Sequence, residues 1–152
     1  MAIAVELEII DDSFWIPDLA QFEDWVSASL GSEVKSAEVS LRIVGVEEMR
    51  SLNKQYRNKD SSTNILSFPV DIVNKSVELN FLGDLVICAS VIDSEAKIYN
   101  KSLVSRWAHI VVHGCLHLLG YDHVEPLEAE KMEGLESKIL KKLGFSDPYF
   151  FN

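Results

Sequence analysis

The sequence predicts an α+β fold, a small mixed β-sheet of about four strands with helices packed on it. Three observations predict it. Its 152 residues suit one ordinary domain. Its apolar positions alternate between period two and helical spacing in the order β-α-β-α-β-β-α-α-α. No repeat, low-complexity tract or linker rich in Pro, Gly or Ser interrupts that order, so residues 1–152 are expected to form a single domain.

Residues 3–10 alternate apolar and acidic, with Ile3, Val5, Leu7 and Ile9 on one side of a half-buried strand. Pro17 opens a helical stretch to about Leu30, with Leu19, Phe22, Trp25 and Val26 on one face and Gly31 as the stop. Val39, Leu41 and Ile43 alternate as a second strand. A short helix follows from about Val46, with Met49, Leu52 and Tyr56 at helical spacing. Ile65–Val70 and Leu82–Ala89 are apolar runs of strand length, joined by a polar segment around Asp71–Asn80. From Ser90 the pattern is helical: one piece ends near Asn100, a second runs from about Leu103 to Leu119, and a third from Pro126 to Leu143. In that last helix Glu128, Glu130, Glu133 and Glu136 alternate with Leu127, Met132, Leu135 and Ile139. These acids are expected to mark a solvated face, with a metal-binding or catalytic acid cluster as the alternative.

The composition, 47% hydrophobic, 9% aromatic and 25% charged, is that of a folded protein. Fourteen Lys+Arg against 24 Asp+Glu give a net charge of −10, which argues against a non-specific nucleic-acid coat or a binder of anionic membranes. A nuclease with one local basic strip remains compatible. The first twelve residues lack a basic leader and carry acids within their apolar run, unlike a signal peptide. No apolar stretch approaches the ~20 residues that cross a bilayer. A cytoplasmic chain with no membrane partner is expected, its Cys88 and Cys115 being small buried thiols rather than a disulfide.

All four histidines fall within fifteen residues, His109 to His123. His113 and His117 stand at i and i+4 on a predicted helix, so both imidazoles project from one face. Gly120 can take the left-handed conformation that ends the helix and turn His123 back to the same point. Three imidazoles that leave a fourth tetrahedral position to water describe a catalytic zinc site, one ion whose bound water would approach a pKa of ~7. Nickel, copper or cobalt would also suit an all-nitrogen set. His109, one turn before His113, either supports a ligand from behind or simply packs, with a fourth ligand as the remaining alternative. Asp122 either orients a ligand ring or makes the turn. Cys115 lies on the opposite side of the helix and is expected in the core.

The spacing resembles the His-Glu-x-x-His zinc pair of metalloproteases, but Gly114 replaces the glutamate that serves as their base. Gly114 answers either to a need for space beside a metal or to close helix–strand packing. A second feature is the polar loop of residues 53–69. Between Lys35 and Lys59 six basic residues (Lys35, Arg42, Arg50, Lys54, Arg57, Lys59) meet three acids, a local net charge of +3. Phosphate recognition needs such a strip, and arginine suits phosphoryl transfer; a chance gathering of surface cations is the alternative.

Two separated motifs, His113-Gly-Cys-Leu-His117-Leu-Leu-Gly-Tyr-Asp-His123 and Tyr56-Arg57-Asn-Lys59-Asp60 with Thr63-Asn64-Ile-Leu-Ser-Phe-Pro69, resemble the signature blocks of the YbeY endoribonucleases. Leu82-Gly83-Asp84-Leu-Val-Ile-Cys88 resembles a third, and the likeness extends over most of the chain. The resemblance implies a three-histidine zinc site at His113, His117 and His123 on a zincin-like metal helix. It also implies a functional arginine at Arg57, while the basic Lys35–Lys59 region makes Lys54 and Lys59 candidate RNA contacts. The implied activity is metal-dependent, single-strand-specific RNA cleavage in maturation of the small-subunit ribosomal RNA 3′ end and in ribosome quality control. Ribosomal RNA and the small subunit are then the expected partners, and the acidic chain makes a ribosomal or assembly protein a candidate for delivering the substrate. Ser62 and Asn64 stand where the family usually has Pro and Asp. The rival readings are a metal-dependent hydrolase of a peptide or amide and a non-catalytic ribosome-assembly factor.

Overall fold

A computed structural model of the chain describes residues 2–31, 34–70 and 80–149. The polar segment expected around Asp71–Asn80 lies, Asn80 apart, outside the described residues. The elements follow the predicted order: β1 (Ala2–Ile9), α1 (Leu19–Leu30), β2 (Ser36–Val44), α2 (Val46–Arg57), β3 (Ile65–Pro69), β4 (Phe81–Cys88), α3 (Ala89–Ile98), α4 (Leu103–Leu118) and α5 (Pro126–Lys142). The four strands form one mixed sheet in the order β1-β2-β4-β3. β1 and β4 both run parallel to β2, whereas β3 is antiparallel to β4 at the edge.

Local chemistry sets the helix ends. Asp18 caps α1: its carboxylate accepts from the Gln21 N–H at 2.9 Å, and the Gln21 side chain accepts from the Asp18 N–H at 3.0 Å. The helix therefore starts at Leu19, and Pro17 sits just outside it. Pro126 occupies the first turn of α5, where its missing N–H costs no hydrogen bond.

The strand alternation assigns two faces. Val39, Leu41 and Ile43 of β2 and Leu85 and Ile87 of β4 point into the main core, against Phe22, Trp25 and Val26 of α1 and Trp107, Val111 and Cys115 of α4. Phe22 stands edge-on to both Trp25 and Trp107, with ring centroids 5.9 and 5.8 Å apart. On the opposite face Val44, Leu66, Val86 and Cys88 pack against Met49 of α2. Helix α4 is enclosed by α1, α3, α5 and the β3 edge, so apart from its histidines it is apolar nearly all round.

The acids of α5 divide. Glu128, Glu130 and Glu133 have the exposure expected of a solvated face, but Glu136 is 0% exposed. It stands between Met132 and Leu140 on the buried stripe of the helix and corrects the single-face expectation. Among the described residues no helix is long and apolar enough to cross a membrane.

Candidate metal centre

Helix α4 is capped at its start by Ser102, whose hydroxyl accepts from the Ser105 N–H at 3.1 Å. At its end the Gly120 N–H reaches the His117 carbonyl at 3.0 Å and the Tyr121 N–H reaches Leu116 at 3.0 Å. That paired termination needs a left-handed residue, and Gly120 supplies it with φ of 102°. The chain reverses there, and Asp122 fixes the turn by accepting from the His123 N–H at 2.7 Å. Its carboxylate lies 3.9 Å from His123 Nδ1, so it shapes the backbone rather than holding the ring.

This turn brings His123 to the pair on the helix. One ligand nitrogen from each of His113, His117 and His123 lies within 4.8 Å of the others. His113 Nε2 and His117 Nε2 are 3.1 Å apart. Two nitrogens on a tetrahedral zinc ion stand about 3.3 Å apart, so the pair has nearly the spacing the ion requires. Burial first, then the neighbouring His113 and His123, hold the His117 imidazole below its ordinary pKa, which favours the neutral ring that binds a metal. The residues present therefore fit zinc.

Glu136 lies behind His113. Its Oε2 accepts from His113 Nδ1 at 2.7 Å, and its Oε1 accepts from His109 Nε2 at 2.6 Å and from the Tyr149 hydroxyl. Burial would raise this carboxyl, but the bonds from His109 and His113, aided by Tyr149, outweigh it and hold the pKa at about 2. Burial, followed by the bond to Glu136, pushes the Tyr149 phenol up. Arg106 Nη1 lies 3.3 Å from His109 Nδ1 and Arg106 Nη2 2.9 Å from Glu95, which also accepts from Asn64 Nδ2 at 3.1 Å. His109 thus shares the carboxylate of His113 and stands outside the group of His113, His117 and His123.

Gly114 is explained by packing. A Cβ there would come within 2.6 Å of Ile65 Cδ1 on β3 and 2.9 Å of Leu85 Cδ2 on β4, so the helix meets the sheet where a protease would carry its glutamate. Cys115 is fully buried, and burial pushes its thiol to about 12, leaving it a core residue.

The facing wall comes from the end of α2. Asn58 takes the left-handed conformation, with φ of 58°, and ends the helix at Arg57. The loop beyond is braced by buried Asn53, whose Nδ2 donates to the Ser61 carbonyl at 2.8 Å, and by Arg50, whose Nε lies 2.7 Å from Asp60. Arg57, Lys59 and Asn64 then share with the three histidines a polar cleft of about 570 Å³. Lys54, one turn earlier, is exposed but does not line this cleft.

The sequence-predicted residues Arg57, Lys59, His113, His117, Asp122 and His123 are thus gathered in one place. Tyr149, Glu95 and Arg106 escaped sequence reasoning, and Glu136 entered it only among the acids of a solvated face, with a metal-binding or catalytic cluster as the alternative. The signal for Glu136 was present: Met132, Glu136 and Leu140 stand at i, i+4 and i+8, the spacing of a buried stripe.

A protein-family model described as Endoribonuclease YbeY matches residues 13–144. Among solved structures, the solution structure of TM1509 from Thermotoga maritima is similar at a TM-score of 0.55 and 21% identity, covering 99% of this chain and 100% of that one.

Proposed function

The chain belongs to the YbeY endoribonuclease family, and from that premise we propose that it is a zinc-dependent, single-strand-specific endoribonuclease of the cytoplasm. It acts on the 3′ end of small-subunit ribosomal RNA during maturation and ribosome quality control. The observation that carries the reading is the cleft itself, where His113, His117 and His123 face Arg57 and Lys59 across one polar groove. Zinc at the three imidazoles would supply Lewis acidity to the reacting phosphodiester.

The chain's own residues supply the rest. The Arg57 guanidinium offers a planar fork to a phosphoryl group and neutralises charge that develops as the bond breaks. Lys59, two residues on, binds a neighbouring phosphate. The bracing of the loop by Asn53 and Arg50 holds both cations against the metal helix, so their alignment is prepared before substrate arrives. The peptide-hydrolase reading lacks the helical glutamate of the metalloproteases, since Gly114 is packed against Ile65 and Leu85 with no room for a carboxylate at that position.

The test is cleavage of a small-subunit 3′-end RNA fragment, single-stranded or annealed to its complement, by zinc-loaded protein and by identically purified Arg57→Ala and His117→Ala variants. Cleavage of the single strand by wild type alone is expected, with each variant down by at least about 100-fold. Equal cleavage by all three proteins would expose a contaminant. Folded, zinc-loaded protein that binds the small subunit but cuts neither free nor ribosomal RNA would replace the enzyme with an assembly factor.

A further inference from the structure

We propose that Glu136, held by Tyr149, is a positioning residue that locks His113 in the tautomer a metal ion can use; this rests on reading the three histidines as a metal centre. An ionised carboxylate only accepts hydrogen bonds, so each imidazole nitrogen facing Glu136 carries a proton. His113 is therefore protonated on Nδ1, 2.7 Å from Oε2, and its lone pair lies on Nε2, facing His117 in the cleft.

The carboxylate has no freedom to turn away. It is fully buried, and its Oε1 is engaged by His109 Nε2 at 2.6 Å and by the Tyr149 hydroxyl. His109 is itself set by Arg106, which donates to its Nδ1 at 3.3 Å. The segment bearing Tyr149 is fastened back to α5, because Asp147 Oδ1 accepts from the Ser137 hydroxyl at 2.8 Å and from the Tyr149 N–H at 2.9 Å. Three parts of the chain, α4, α5 and residues 147–149, thus converge on one carboxylate whose remaining oxygen fixes a ligand ring. A glutamate placed only for stability would not need both oxygens on histidines of the metal helix.

Nitrogen-15 NMR of the histidine side chains in metal-free, full-length protein tests the lock, alongside zinc affinity measured by competition with a chromophoric chelator. Wild type is expected to show His113 protonated on Nδ1. In Glu136→Gln the amide can donate to Nδ1, so His113 shifts to the Nε2-protonated form and zinc binding weakens by about 10–100-fold, while the circular dichroism of the fold is unchanged. Tyr149→Phe keeps the carboxylate and is expected to weaken zinc about threefold. A folded Glu136→Gln protein with the wild-type tautomer and zinc affinity overturns the proposal. Should that variant fail to fold, Tyr149→Phe with wild-type tautomer and affinity overturns it instead. Wild-type protein that takes up no zinc overturns the metal reading, whereas His113 protonated on Nε2 in wild type overturns the positioning role by itself.

Discussion

Asn64 shows how one side chain is tuned to its neighbours. Its Nδ2 lies 3.1 and 3.2 Å from the two oxygens of Glu95, which Arg106 Nη2 holds from the other side at 2.9 Å. An aspartate at position 64 would put two carboxylates at that distance, and the pair would keep a proton that the unfolded chain releases. Asn64→Asp is therefore expected to cost about 1–2 kcal/mol at pH 7. The folded-state pKa of the new group would be raised, so its stability is full below the unfolded value near 3.9 and is lost as pH rises. Thermal unfolding at pH 7 and pH 4.5 checks this: the deficit should shrink at the lower pH, and an equal deficit would exclude the carboxylate clash. At this scale the histidine cluster was legible in the sequence, but the side chains that surround it were not. Four histidines in fifteen residues are a local signal, whereas Glu136 sits among Glu128, Glu130 and Glu133, and only its place between Met132 and Leu140 sets it apart. Tyr149 and Glu95 give no local signal at all, because their partners come from other elements, and Arg106, although it stands at i and i+3 with His109, finds its carboxylate partner only on α3.

Among the elements, the end of α4 matters most, since the helix presents two of the histidines that could hold a metal ion and its termination delivers the third. Gly120 has φ of 102° and nothing within 4 Å of where a Cβ would sit, so an alanine there meets backbone strain and no steric clash. Gly120→Ala is expected to cost about 1–2 kcal/mol. Because the turn also carries His123, zinc affinity should fall about tenfold while His113 and His117 stay in place. Urea unfolding and chelator competition read the two effects separately; a loss of stability with unchanged zinc affinity would show that His123 is no ligand. The helix itself, its glycine stop and the order of the elements among the described residues could be read from periodicity and from residues such as Pro126 and Gly120. Strand pairing could not. That β4 inserts beside β2 while β3 lies antiparallel at the edge depends on contacts distant in sequence, and alternation in β2 says which side is buried, not which strand is next. Gly114 is similar: its sequence admitted two explanations, and only Ile65 and Leu85 across the interface decide for packing.

Over the whole molecule, a net charge of −10 surrounds a cleft that must draw in a polyanion on the proposed reading. The six cations counted between Lys35 and Lys59 do not act together. Arg42 lies 3.0 Å from Glu8 and 3.4 Å from Glu48, and Arg50 is paired with Asp60 at 2.7 Å. Arg57 and Lys59 are the cations of that group that line the cleft. Two phosphate contacts on a single strand predict a shallow salt dependence, a slope of about −1.4 in log affinity against log salt. On the proposed reading, repulsion from the acidic surface would lower the affinity itself. Fluorescence anisotropy with a labelled single-stranded RNA between about 50 and 200 mM salt measures the slope. Lys59→Ala should reduce it by about 0.7 and weaken binding alike for all sequences, whereas Arg42→Ala, which loses its ion pairs with Glu8 and Glu48 and lines no part of the cleft, should leave it unchanged. An unaltered slope in Lys59→Ala would take Lys59 out of the RNA path, and a reduced one in Arg42→Ala would extend that path to β2, the inner strand that bears Arg42.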